Sequence, residues 1–422
     1  MNLTQLQKEY HELFYVEDKV VLPLLLAMVI GSKLNAPPVW MYIIGPSSGG
    51  KSSLLSVINK VPFCTQISDL TPNTFLSGMK VAGKETSLLK KLGNNFVIVM
   101  KDFTTMISKD DAAKKIIISQ MREIYDGHIV KAVGTGDIIE WGSKEKPWKG
   151  TFIMAATEGI YKVQSEFADM GTRAINYVFQ DQNRRQTTKA ALVNRRNNEV
   201  FIERLGVLQD HIKEFVMDKI LNAPHEFSPI PEALEDDIIE IADLSSLCRS
   251  VVDRDYRGQI NLALSGEYPM RMSEQLLAMA QFMAYTNNGI LEDKMKQAIF
   301  KTAFDSIPKQ RRLILEMMAQ YYQIEINGIA EKINYPPERV REWVEDLHMF
   351  KIVDRIFDGR KEYWKLKEEH RKTMEKFFKI ELKGDKLEAK EPAGGQGSGM
   401  SNMSWEERQE QLSLQEAFDK NF

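Results

Sequence analysis

The chain has 422 residues, of which 43% are hydrophobic and 27% charged, with a net charge of −3. That length and balance fit two or three globular domains with sizeable cores and exclude a histone-like polycation, since nucleic acid would have to be attracted by local basic patches. Two cysteines, Cys64 and Cys248, and six scattered histidines offer neither a disulfide framework nor metal-ligand spacing, which points to a reducing compartment.

Residues 1–38 read as helix, with Leu3, Leu6, Tyr10, Leu13 and Phe14 at helical spacing. The apolar run Val20–Ile30 contains Pro23 and is too short to cross a bilayer. The amino terminus lacks the basic stretch of a signal peptide, so a soluble, cytoplasmic protein without membrane contact is expected. Ala36-Pro37-Pro38 stops the helix, and Val39–Ile44 suits a strand buried on both faces. A helix is predicted over Lys51–Asn59. Further short apolar runs at Phe63–Ile67, Phe96–Met100, Thr151–Ala156 and Ala174–Phe179 alternate with helical stretches. This predicts an α/β class, a parallel sheet with flanking helices over residues 39–182.

From Arg184 to Phe304 no strand pattern survives, and residues 183–304 are expected to be a helical lid that includes one long polar helix, Thr187–Leu221. Helices are predicted over Gln310–Tyr322, Asn327–Lys332 and Pro337–Leu347. Strands at Ile352–Phe357 and Glu362–Leu366 then flank a turn at Asp358-Gly359-Arg360. Three helices and a hairpin make a winged-helix pattern over 305–380, whose cations Lys332, Arg339, Arg341, Arg355, Arg360 and Lys361 are offset by Glu338, Glu342, Glu345 and Asp346. DNA contact and protein docking both stay open for this domain. Residues 381–422 read as a flexible Gly-rich linker and an acidic tail.

The sharpest motif is Gly45-Pro46-Ser47-Ser48-Gly49-Gly50-Lys51-Ser52, which fits G-x-x-x-x-G-K-[ST] between a strand and a helix. Glycines let backbone N–H groups curl around phosphate oxygens at a helix N-terminus, with Ser53 next along the helix. Lys51 supplies a full charge to the β- and γ-phosphates of ATP, and the Ser52 hydroxyl suits Mg²⁺. The second half of such a site is an acid at the end of a neighbouring strand, and Phe96–Met100 leads to Lys101-Asp102. Asp102 is expected to hold Mg²⁺ or orient the attacking water; a strand-end cap is the plainer role.

Between Gly127 and Lys149, alternating residues around Gly134-Thr135-Gly136 predict a β-hairpin. Lys131, Thr135, Lys144 and Lys146 are its candidate contacts to single-stranded DNA, with Trp141 as stacking surface. A purely structural hairpin is the alternative.

The loop Gly45–Ser52, Lys101-Asp-Phe-Thr104, Gln120-Met-Arg-Glu-Ile-Tyr-Asp-Gly127, Ala155-Ala-Thr157, Met170-Gly-Thr-Arg173 and Glu267-Tyr-Pro-Met-Arg271 follow one another in an order that resembles the AAA+ ATPases. The likeness is to the minichromosome-maintenance-like helicases of phages and mobile elements. The resemblance implies a hexameric ring, with ATP and Mg²⁺ at each subunit interface. It implies Thr157 as the sensor-1 residue and Arg173 as an arginine finger reaching the next subunit's ATP. It also implies Arg271 as the sensor-2 arginine, with Arg249, Arg254 and Arg257 as competitors in the same lid. On that basis the expected activity is ATP-driven DNA unwinding or translocation in the host cytoplasm. The alternative is a AAA+ loader or switch acting on a replication partner. Gln411-Leu412-Ser413-Leu414 in the tail resembles the start of a sliding-clamp-binding peptide, so a clamp, primase or polymerase is a further expected partner.

Overall fold

The computed structural model describes residues 1–387 apart from 79, 82–83, 133–136, 162–172, 180–182, 225–226, 228, 256 and 264. The chain divides into two compact units, Met1–Asp253 with Leu262–Lys309, and Arg254–Asn261 with the chain from Gln310 onward.

The first unit grows around five short runs, four of them apolar at nearly every position. They form strands β1 (Trp40–Ile44), β2 (Cys64–Ile67), β3 (Phe96–Met100), β4 (Gly150–Ala156) and β5 (Ala174–Val178) of one parallel sheet in the order β2-β3-β4-β1-β5. All except β2 are buried throughout, as a sheet covered on both faces requires. Gly150 begins β4 because a Cβ there would lie 2.4 Å from the Phe96 ring. The edge strand β5 has its outward N–H groups covered: Asn176 N–H donates to Ser306 Oγ at 2.9 Å and Val178 N–H to Asp305 Oδ2 at 2.7 Å.

The expected amino-terminal helix is two helices. In α1 (Leu3–Leu13) Asn2 and Gln5 cap each other's backbone N–H groups, and Leu3, Leu6, Tyr10 and Leu13 are buried. In α2 (Val21–Gly31) every residue is buried, and Pro23 falls in the first turn, where no intrahelical N–H bond is lost. Helix α3 (Lys51–Ser56) follows the phosphate loop, and α4 (Asp111–Tyr125) precedes the hairpin Ile129–Ala132/Ile138–Trp141.

The lid comprises α5 (Arg184–Arg196), α6 (Asn198–Leu221), α7 (Glu232–Arg249), α8 (Met270–Thr286) and α9 (Asp293–Asp305). The single long helix expected over 187–221 is broken at Asn197, whose φ of −110° and ψ of 45° leave the helical region. Strands Val252–Arg254 and Ile260–Ala263 pair where only helix was expected, being too short to carry an alternating pattern.

The second unit contains α10 (Lys309–Gln320), β6 (Tyr321–Ile324), α11 (Ile326–Ile333), α12 (Pro337–Met349), β7 (Val353–Asp358), β8 (Lys361–Leu366), α13 (Glu368–Phe378) and β9 (Gly384–Leu387). Its sheet runs β7-β8-β6-β9. Gly359, with φ of 62°, supplies the left-handed turn between β7 and β8. Helix α13 and strands β6 and β9 add to the expected three helices and hairpin. Among the described residues no helix is long and apolar enough to cross a membrane.

Candidate functional site

Strand β1 delivers the chain into the loop at Gly45, whose N–H donates to Ala156 O at 3.1 Å at the end of β4. A Cβ on Gly45 would sit 2.7 Å from Phe179 O, so only glycine lets β1 and the end of β5 approach here. Ser48 and Gly50 take φ of 60° and 86°, curling the backbone of Pro46–Gly50 into a concave turn that ends on the first turn of α3. Lys51 is buried, and its ammonium donates to Gly45 O at 2.8 Å and Pro46 O at 2.6 Å. Burial pushes its pKa down, while the nearby charge of Asp102 pulls it back up. This donor set fits a triphosphate. A phosphate group would take over the lysine's bonds to the loop carbonyls and add the missing counter-charge.

Beside the loop opens a cavity of about 430 Å³ whose polar end is Ser48–Ser53. Its apolar lining includes Tyr10 of α1 and Phe14 just after it, Phe179 after β5, Ala190 and Ala191 of α5, and Phe201 of α6. Asn194 joins α5 to α1 by donating from Nδ2 to Leu13 O at 2.8 Å. A polar mouth continuous with an aromatic slot matches a nucleotide in size and chemistry. None of the aromatic half was picked out as a site from the sequence. Tyr10 and Phe14 lie one helical turn apart, which reads as ordinary core until α5 and α6 are placed over them.

At the neighbouring strand ends, Asp102 is exposed and its Oδ1 accepts from Thr104 N–H at 2.8 Å, capping the short 3₁₀ turn Phe103–Ser108. One carboxylate oxygen therefore serves as the strand-end cap. Thr157, ending β4, donates its N–H to Thr104 Oγ1 at 3.3 Å, and the two hydroxyls lie 3.4 Å apart. Asp102, Thr104 and Thr157 are thus knitted together, and Lys51 feels the charge of Asp102. The Ser52 hydroxyl makes no hydrogen bond to a described residue. No group of three or more His, Cys, Asp and Glu is clustered for a metal among the described residues. Mg²⁺ with nucleotide needs no such cluster, because water and phosphate supply most of its ligands.

Arg173 and Arg271 are brought to each other rather than to the loop. Arg173 lies over the Tyr125 ring at 5.9 Å, reaches Asp126 at 3.4 Å, and its Nε is buried with no partner. Burial and the charge of Arg173 lower the pKa of Arg271, which also faces Glu267 at 3.8 Å. The Gln120–Gly127 segment thereby gains a role that the sequence did not suggest: Tyr125 and Asp126 hold Arg173. Of the competing lid arginines, Arg249 is buried in a two-point ion pair with Glu267 at 2.7 Å. Arg254 belongs to the second unit, where Asp346 binds it at 2.7 Å, so it is not a lid residue. Met170–Thr172 lie outside the described residues.

The hairpin requires two corrections. Trp141 is 1% exposed and donates to Gly93 O at 2.7 Å, packed against Phe96 and Trp148, so it offers no stacking surface. Lys131 donates to Pro72 O, Asn73 Oδ1 and Leu76 O at 3.0–3.2 Å; all three ammonium protons are used, and it acts as a strut. Lys149 is likewise bound to Ala36 O at 2.7 Å. Lys144 and Lys146 are exposed, in the turn after the second strand. Thr135 lies outside the described residues.

In the second unit four of the six cations singled out from the sequence, and two further arginines, have acids as partners. Arg339 pairs with Glu342, Arg341 and Arg355 with Glu362, Lys361 with Glu325, and Arg254 and Arg311 with Asp346. Gln411–Leu414 lie outside the described residues. No protein-family model and no curated protein matches the chain.

Proposed function

We propose that the chain is an ATP-hydrolysing motor of the AAA+ type that assembles with copies of itself and translocates on single-stranded DNA. One observation carries this reading. The phosphate loop, Thr157 and Asp102 follow three adjacent strands, β1, β4 and β3, at their carboxyl ends, and open parallel sheets bind ligands at that edge. Lys51 supports the β- and γ-phosphates, the aromatic slot takes the base, and Asp102, steadied by Thr104, orients the attacking water with Thr157. Mg²⁺ on the Ser52 hydroxyl and Asp102 would draw charge from the phosphoryl oxygens. Arg173 and Arg271, gathered beside Tyr125, Asp126 and Glu267, suit delivery to a neighbouring copy's nucleotide. Lys144 and Lys146 are the cations best exposed for DNA phosphate.

The use of Lys131 and the burial of Trp141 favour weighing a second reading, a AAA+ loader that remodels a protein partner without gripping DNA. Two measurements separate them. Lys51→Ala should abolish ATP hydrolysis, and normal turnover in that variant would remove the site assignment. The wild-type chain should unwind forked DNA in an ATP-dependent way. ATPase activity stimulated by a protein partner, with no unwinding and no response to single-stranded DNA, would favour the loader.

A further inference from the structure

Two helices of the first unit carry charge of opposite sign in one shared pattern. On α5, Arg185, Lys189, Leu192 and Arg196 recur at intervals of i, i+4, i+7 and i+11, which keeps them on one face of a helix. All four are exposed, Leu192 at 48%, and α5 has no buried residue. On α7, Glu232, Asp236, Ile239 and Asp243 recur at the same intervals with Glu235 beside them, all exposed, Ile239 at 43%. None of these charged side chains has an ion pair with a described residue.

We infer that α5 of one copy docks beside α7 of a second copy, head to tail. This rests on the ring reading above and supplies it with an interface. Aligned in the same direction, the stripes set Leu192 against Ile239, Arg185 against Glu232, Lys189 against Asp236 and Arg196 against Asp243. A small apolar centre flanked by complementary charge fixes register more than it adds affinity.

The placement of the two helices agrees. The opposite face of α5, with Thr187, Ala191 and Asn194, lines the nucleotide cavity. Helix α7 ends at Arg249, held by the Glu267 that also faces Arg271. Docking α7 on a neighbour's α5 therefore brings the side of the arginine pair toward that neighbour's cavity. The two stripes are different surfaces, so the contact is heterologous and propagates around a ring. The cations of α5 alone would also suit a nucleic-acid backbone. The acidic helix of matching spacing favours a second copy.

The test is sedimentation velocity of the full chain with Mg²⁺ and a non-hydrolysable ATP analogue. Three variants are compared: Arg185→Glu, Lys189→Glu and Arg196→Glu together; Glu232→Lys, Asp236→Lys and Asp243→Lys together; and all six in one chain. Each triple variant should associate roughly 100-fold more weakly, because like charges then face one another. The sixfold variant should recover to within about 10-fold of wild type, which also excludes misfolding as the cause. An α5 triple that assembles normally, or a sixfold variant no better than the triples, overturns the inference. So does an α5 triple that assembles normally but no longer binds a single-stranded oligonucleotide; α5 is then a nucleic-acid surface. If the wild-type chain stays monomeric with nucleotide, the ring reading fails and the docking falls with it.

Discussion

His11 sits on α1 with both ring nitrogens buried and without hydrogen-bond partners. Burial, and then the charge of Lys19, lower its pKa from 6.5 to about 4. A depressed folded pKa means that the unfolded chain binds the extra proton first as pH falls. The native state is therefore unpenalised above 6.5 and loses stability progressively as pH drops toward 4. His11→Phe removes the titration and the two unsatisfied nitrogens while keeping an edge-on ring beside Tyr10, which His11 meets at 5.3 Å. The variant should gain about 1–2 kcal/mol at pH 7.5 by the cost of buried unpaired polar atoms. Its advantage should widen at pH 5. Urea unfolding midpoints at the two pH values check this, and a parallel acid loss in both proteins would show that His11 is not the titrating group. Lys131 and Trp141 carry the same lesson at this scale. A side chain's type advertises a capacity, and its neighbours decide whether that capacity is already spent.

Helices α2 and α8 meet at a point where one hydrogen decides the fit. A Cβ on Gly31 would lie 2.2 Å from the ring of Phe282, itself 1% exposed. Gly31→Ala should then cost about 1–3 kcal/mol through overpacking, read as a lower denaturant midpoint with an unchanged slope. An unaltered midpoint would mean that the Phe282 ring yields freely. Elements of this kind separate what the sequence reveals from what it hides. Four strands of the parallel sheet were legible because strands buried on both faces are almost wholly apolar, whereas the half-polar β2, Cys-Thr-Gln-Ile, was carried by the apolar residue on either side of its polar pair. The phosphate loop was legible because its chemistry demands fixed residues at fixed spacing. The break at Asn197 was hidden because α5 has no buried residue and the buried stripe of α6, Leu208, Ile212, Phe215 and Val216, begins well past the break. The pair Val252–Arg254 and Ile260–Ala263 was hidden by its brevity. The aromatic lining of the cavity beside the Gly45–Ser52 loop draws on α1, α5, α6 and the end of β5, so no local pattern announces it. Strand β9 and helix α13 extend the second unit beyond the hairpin, where charged residues mask the few that pack.

At the scale of the whole molecule, the arrangement of Arg173 and Arg271 is the feature an isolated chain explains least well. Burial and the neighbouring charge of Arg173 lower the pKa of Arg271, while Asp126 lies 3.4 Å from Arg173 and Glu267 lies 3.8 Å from Arg271. The Nε of Arg173 is buried and unsatisfied. An anion beside Arg173 would give that buried Nε a partner. On the ring reading proposed above, that anion is the γ-phosphate of a nucleotide held by another copy. If Arg173 acts across an interface, then Arg173→Ala chains should fold, bind nucleotide in their own cavities and still spoil the catalytic sites of their wild-type neighbours. Mixed in equal amounts with wild type and allowed to exchange, they should reduce DNA-dependent ATP hydrolysis and unwinding far below half, since a closed ring fails when one interface does. A loss in simple proportion to the wild-type fraction would mean that each chain works alone. The paired arginines would then serve only to tie α4 to the lid.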